Sequence, residues 1–280
     1  AMFLVGVTGL SNALLPWVMT SLLFLVLIYT CMGGMWAVVV TDFIQFAILS
    51  FGLLFVVGSS IYLLGWDTIF DTVLLQQGLA GFNPFSSEGE FGVSYILWMI
   101  FTAGLVSCAI WPTAVARALC MKSEADVKKQ YMISSITFMI RFLIPYFMGI
   151  CAFVFFTLNS PSLMSVFHGT SAESMSTLYA LPLYLSHTLP TGILGLLTAA
   201  MIAAFMSTHD GYLLCWSSVI TQDIVAPLVK TPLNDKKRIF ITRLGIIIIG
   251  IYIWYWGLVY EGTDDIWDYM AITGAIYFTG

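Results

Sequence analysis

The stretch AAFMSTHDGYLLCWSSVITQDIV, residues 203–225, sets five polar or flexible residues in a row, Ser207 to Gly211, inside an otherwise apolar run. In water such an interruption reads as a loop. In a bilayer it reads as something else, because backbone and side-chain polar groups there have no solvent to bond to. The solvent therefore decides the fold, and composition identifies the solvent. Of the 280 residues 60% are hydrophobic and 9% charged, with a mean hydropathy of +0.95; a soluble domain has roughly 45–50% apolar and about 25% charged residues. The apolar runs repeatedly exceed the roughly 18 residues that mark a spanning helix. The chain is read as all-α and integral to a lipid bilayer. Its net charge of -5 matters less than where the charges stand, and nothing in it suits a nucleic acid partner.

Six long apolar segments are expected to span, at about 15–32, 35–65, 93–118, 131–156, 192–222 and 239–260, with partial spans at both ends, 1–10 and 268–280. Several run near 30 residues, about 45 Å of helix, more than a 30 Å hydrocarbon core requires. Short alternating strands are missing, so a barrel is not expected. Nine of the ten Lys and Arg fall in two connections: Arg117, Lys122, Lys128 and Lys129, then Lys230, Lys236, Lys237, Arg238 and Arg243. These connections face the cytoplasm. Residues 65–92, 159–190 and 260–268 hold acidic residues and no Lys or Arg, and are read as outward. The alternation closes if the span from 35 runs outward and the Gly33-Gly34 turn lies inside. Within the second outward connection, STLYALPLYLSH (176–187) reads as a short amphipathic helix at the surface.

The five scattered cysteines, with no CxxC pair, read as small core hydrophobes. The N-terminus lacks a basic n-region and is not a signal peptide. The chain opens and stops as though mid-helix, which reads as an excerpt of a longer transmembrane domain covering residues 1–280.

The tenth basic residue, Arg141, stands in MISSITFMIRFLIPYFMGICAFVFF (132–156). An ionisable group at that depth is either functional or snorkels back to the inner headgroups, about 18 Å away by helical rise at Lys129. Residues 203–225 pose a sharper question, since Ser207 falls near the middle of its span. Ala204, Ser207 and Thr208 stand at i, i+3 and i+4, so one carbonyl and two hydroxyls meet on one helix face. Three neutral oxygens at the midplane form half of a cage for sodium, the other half coming from a helix with freed carbonyls. Ser and Thr also return hydroxyls to the preceding turn, and small residues also serve close packing. Geometry alone leaves both readings open. Asp210 and His209 beside them can cap a break, reach an inner vestibule or pair with another helix.

GGMWAVVVTDFIQFAILSFGLLF (33–55) resembles the Gly-Gly-x-x-Ala-Val-x-x-Thr-Asp-x-x-Gln signature of sodium/solute symporters, the sodium-coupled sugar, proline, pantothenate and sialic acid carriers. AAFMSTHDGYLLCWSSVITQDI (203–224) is similar to that family's Ala-x-x-Ser-Ser/Thr helix, and VARALCMKSEADVKK (115–129) to its Arg followed by Lys-Ser at a cytoplasmic end. The three motifs occur in the family's order and agree with the orientation derived from charge. The resemblance implies an inverted-repeat (LeuT-like) transporter core of ten helices, of which this chain covers the fourth through the start of the tenth. It implies a sodium site with Ala204 contributing its carbonyl and Ser207 and Thr208 their hydroxyls, shared with a first core helix not found in this sequence. It implies that Asp42, about two turns from Gly33-Gly34, attracts sodium along its route to the cytoplasm; Thr41 and Gln45 are not assigned as ligands. It also implies a sixth core helix broken near the midplane. FTAGLVSCAIWP (101–112) supplies the means: Gly104 permits unwinding, Pro112 removes a donor, and Ser107 and Cys108 leave room for solute. The Asn and aromatic residues that sugar carriers place there are absent, which argues against a sugar.

The leading expectation is a multi-pass protein of the plasma or inner membrane, a symporter coupling sodium entry to import of a small polar organic solute. Arg141 at the cavity would suit a carboxylate on that solute. A sensor carrying such a domain and a proton-coupled carrier using Asp42 or Asp210 are the alternatives. A membrane-embedded enzyme would need clustered His, Asp, Glu or Cys in the spans, and these residues are isolated here.

Overall fold

The computed structural model describes residues 2–83, 85, 92–101, 111–167, 177–229, 232–259 and 269. Every regular element among them is helical. Among the described residues five helices are long and apolar enough to cross a bilayer: Leu15–Met35 (α2), Val38–Leu64 (α3), Glu124–Asn159 (α7), Thr191–Leu228, whose first and longest α-helical part is Thr191–Val219 (α10), and Asp235–Val259 (α11). The shorter helices are Met2–Thr8 (α1), Trp66–Gln77 (α4), Val93–Met99 (α5), Pro112–Leu119 (α6), Pro161–Phe167 (α8) and Ala180–Thr188 (α9). Cα packing divides the chain into two compact units, residues 1–66 with 136–258 and residues 67–135 with 259–280.

In the first unit α2 and α3 form a hairpin. Helical backbone hydrogen bonding runs from Leu15 to Leu64, but Gly34 breaks it with φ 58° and ψ −163°. The reversal shows in the side chains: Tyr29 Oη and Thr41 Oγ1 are 2.8 Å apart, whereas twelve residues of straight helix would separate their backbones by about 18 Å. The two neighbouring spans expected at 15–32 and 35–65 are therefore joined with almost no loop.

Against this hairpin pack α10 and α11. Val26, Val38, Leu213, Leu214 and Ile246, each 9% exposed or less, form the shared centre. Apolar side chains do not by themselves choose partners in lipid, so close approach at small residues does. A Cβ on Gly250 would stand 2.4 Å from Leu27 Cδ2, and one on Gly245 3.1 Å from Ser217 Cβ. Hydroxyl and indole groups add cross-ties, Thr221 to Thr242 at 3.1 Å and Trp254 Nε1 to Thr20 Oγ1 at 2.9 Å. Past Val219, α10 continues through a π-helical turn, Ile220–Val225, into Ala226–Leu228.

The segment expected as a surface helix is a 3-10 turn, Thr177–Tyr179, followed by α9. It has two sides: Tyr184 and Leu185 are buried at 0% and 1% exposure, while Thr177, Leu178 and His187 stay exposed. On the buried side the phenol has a partner: Tyr184 Oη donates to Ser60 Oγ at 2.7 Å while its ring meets Phe155 edge-on at 5.3 Å. Burial raises the Tyr184 pKa above its ordinary value. Pro182 of the same helix closes on Gly6 of α1.

In the second unit α4 ends in a 3-10 turn, Gly78–Phe82, and Phe82 stacks back on Phe70 at 5.7 Å. Of the segment expected as a span at 93–118, α5 and α6 are described, and Pro112 opens α6 in the first-turn position that tolerates proline. Ser123 caps α7 by accepting from the Asp126 amide at 3.2 Å, with Glu124 and Asp126 set in the first turn.

Candidate functional site

The polar stretch of α10 stays helical through Ser207–Gly211. No loop forms, so its side chains must find partners on neighbouring spans, and their spacing decides which. Ser207 and Asp210 are three residues apart and face the α2–α3 hairpin. Ser207 Oγ donates a hydrogen bond to Asp42 Oδ1 of α3. Asp210, 0% exposed, accepts a hydrogen bond from the Tyr29 hydroxyl of α2. The same Tyr29 oxygen lies 2.8 Å from Thr41 Oγ1, which also contacts the Val38 carbonyl at 3.0 Å. Two carboxylates from two spans thus share one polar seam inside an apolar packing, each met by a hydroxyl from another helix. One turn beyond Asp42, the buried Gln45 Oε1 has no hydrogen-bond partner among the described residues.

Thr208 sits at the side of this seam and is exposed. Its hydroxyl donates to the Ala204 carbonyl at 2.9 Å. Ala204 O, Thr208 Oγ1 and Ser207 Oγ therefore lie on adjoining parts of one helix surface, with lone pairs left over for a further ligand. Hard cations such as sodium take oxygen donors of this kind, and a carboxylate beside them supplies the compensating charge.

His209 points elsewhere. Its Nδ1 lies 2.9 Å from the Phe205 carbonyl and its ring 4.0 Å from the Phe205 ring. It lines a cavity of about 190 Å³ with Met19, Leu23, Ile253 and Trp254.

The sequence-derived residues are thus placed unequally. Ser207 and Asp42 are brought into contact, and Ala204 and Thr208 adjoin them. Arg141 lies on the exposed surface of α7 and takes no part in the hydrogen bonds that join α2, α3 and α10. Gly104, Ser107 and Cys108 lie outside the described residues. Tyr29 escaped the sequence reading, which also left the partner of Asp210 open. The signal was present: an acid at membrane depth needs a donor. Which tyrosine supplies it depends on the hairpin.

The model of the sodium:solute symporter family matches residues 4–277. The chain is 28% identical over 252 residues to the sodium/sialic acid symporter SiaT of Proteus mirabilis (strain HI4320), covering 87% of this chain and 49% of that protein. It is 26% identical over 239 residues to a sodium/proline symporter of Staphylococcus aureus, covering 81% of this chain and 42% of the relative. The chain spans about half the length of the curated relatives it matches. A solved structure of a Na+-coupled sialic acid symporter, in a substrate-bound outward-open state, superposes with a TM-score of 0.76 at 23% identity, over 96% of this chain and 54% of that one. That likeness shows a common fold, the LeuT-like architecture expected from the motifs.

Proposed function

The chain belongs to the sodium:solute symporter family, and from that membership and the geometry of α10 we propose that the protein is a sodium-coupled symporter of the plasma or inner membrane. It imports a small polar organic solute by alternating access. The observation that carries the reading is the meeting of Ser207 with Asp42 beside the Ala204 carbonyl and the Thr208 hydroxyl. In this proposal Ala204, Ser207 and Thr208 hold sodium in part, and Asp42 offsets its charge on the route inward. The carboxylate is already hydrogen-bonded to the seryl oxygen, so a cation entering there displaces one proton-donor contact instead of requiring new groups to converge. Gly104, Ser107, Cys108 and Arg141 are proposed for the solute. The names of the relatives, a sialic acid and a proline symporter, support a carboxylate-bearing solute over a neutral sugar.

The driving force is adequate. For a solute of no net charge, such as a zwitterionic amino acid, one charge moving inward with sodium across 100 mV supplies about 2.3 kcal/mol and a tenfold sodium gradient about 1.4 more, together several hundredfold of accumulation; a monoanion carried with one sodium draws on the gradient alone, about tenfold. The test is uptake by cells expressing the protein, over a panel of labelled amino acids, monocarboxylates and sugars, with sodium or choline at fixed pH. We expect uptake of one class to require sodium, and the double variant Ser207→Ala, Thr208→Ala to lower it at least about tenfold, as loss of roughly 1.4 kcal/mol of ion binding demands. Equal uptake by that variant would remove these oxygens as ligands.

A further inference from the structure

The hydroxyl of Tyr29 stands where three spans meet. It donates to Asp210 on α10 and lies 2.8 Å from Thr41 Oγ1 on α3. Thr41 precedes Asp42, and Asp42 accepts from Ser207, three residues before Asp210 on α10. These side chains and the helices that bear them close a ring, from Asp42 to Ser207, along α10 to Asp210, across to Tyr29 and back to Thr41. α10 is therefore tied to α3 at two points, once directly and once through Tyr29. By helical geometry the points lie about 4.5 Å apart along α10 and roughly 60° apart around it. A single tie lets a helix turn about the contact. Two ties at different heights and angles fix its rotation.

We infer that Tyr29 is a positioning residue for the proposed sodium site, holding α10 in rotation against α3 so that Ser207 Oγ and the Ala204 carbonyl face the ion. This inference rests on the sodium reading above. A binding constellation must be held to within about 0.5 Å. A side-chain oxygen some 5 Å from its helix axis moves that far on a rotation of roughly 6°. Val26 and Val38 of the hairpin also pack against Leu213 and Leu214 of α10, and those contacts are apolar. They resist separation of the helices but fix rotation less sharply than directional bonds do. Asp210 acts at second hand, as the anchor on α10 that Tyr29 grips.

The test needs no solute. Sodium that binds the folded protein raises its unfolding midpoint, so titrating NaCl against that midpoint, with choline chloride holding ionic strength, gives a half-saturating sodium concentration. Tyr29→Phe keeps the ring and removes the hydroxyl. We expect its half-saturating concentration to rise about tenfold, as for loss of an outer partner of a metal ligand, while saturating sodium still produces the wild-type increment in midpoint. Thr41→Val should shift it in the same direction, and the double variant should match Tyr29→Phe alone, because both remove one tie. A purely structural tyrosine would lower the midpoint at every sodium concentration and leave half-saturation unchanged, which overturns the inference. Additive shifts in the double variant overturn it too. Should Tyr29→Phe fail to fold, Thr41→Val decides: a raised half-saturation supports the inference and an unchanged one overturns it. Ser207→Ala separates the two readings. If it alters the sodium response and Tyr29→Phe does not, only the positioning role falls; if the wild type shows no sodium response, the sodium reading falls and takes this one with it.

Discussion

Gly34 holds a conformation, φ 58° and ψ −163°, that side-chain-bearing residues rarely adopt. A Cβ there would meet nothing within 4 Å, so the cost of adding one is conformational and not steric. Gly34→Ala should destabilise by about 1–3 kcal/mol, read as a lowered unfolding midpoint of the purified protein. Gly58 is the control, since it is helical with equally open space around its Cβ position. Gly58→Ala should stabilise by about 0.5–1 kcal/mol. Equal effects of the two would mean that the turn is not made at Gly34. At this scale the sequence disclosed a good deal. The Gly33-Gly34 pair marked the turn, and the spacing of Ala204, Ser207 and Thr208 marked one helix face. Asp42 was singled out only through the family signature. Tyr29 was invisible, because a tyrosine in a membrane helix is unremarkable until its partner 181 positions later is known.

Among the elements, α11 shows what composition leaves undetermined. Its residues are apolar on nearly every side, so hydropathy locates the helix but does not say which face meets which neighbour. The choice falls to its glycines. Gly250 lies so close to Leu27 that a methyl group would stand 2.4 Å from Cδ2, 2.9 Å from Cδ1 and 3.1 Å from Cγ. Gly250→Ala should therefore overpack the α2–α11 contact and cost about 1–3 kcal/mol. Pairing it with Leu27→Ala should return part of that loss, measured as a double-mutant cycle on the unfolding midpoint. Additive losses would show that the two helices do not touch at this point. α9 carries the same lesson from the other side. Its pattern of polar and apolar residues suggested a helix with one buried face, but not what that face meets; the phenol of Tyr184 finds Ser60, and that hydrogen bond lets the ring be buried.

Across the whole molecule, the basic residues supply the expected orientation. Cys120 stands exposed at the end of α6, between Arg117 and Lys122, in a connection that the charge pattern assigns to the cytoplasm. With the other cysteines replaced, a membrane-impermeant maleimide should label Cys120 in inside-out vesicles and leave it unlabelled in right-side-out ones. The reverse pattern would invert the orientation, and with it the direction in which Asp42 is proposed to pass sodium.

Five of the six expected spans, the turn at Gly33-Gly34 and the helix face bearing Ser207 could be read from the sequence alone. Each depends on local terms, hydropathy over some twenty residues, charge beside the spans and helical spacing, which act before any long-range contact forms. The pairing of Asp42 with Ser207, the grip of Tyr29 on Asp210, and the meeting of Tyr184 with Ser60 were decided only by tertiary structure. In lipid an apolar helix gains little by choosing one apolar neighbour over another. The choice therefore passes to a few glycines and hydroxyls whose partners lie far off in the chain, and only the assembled helices bring those together.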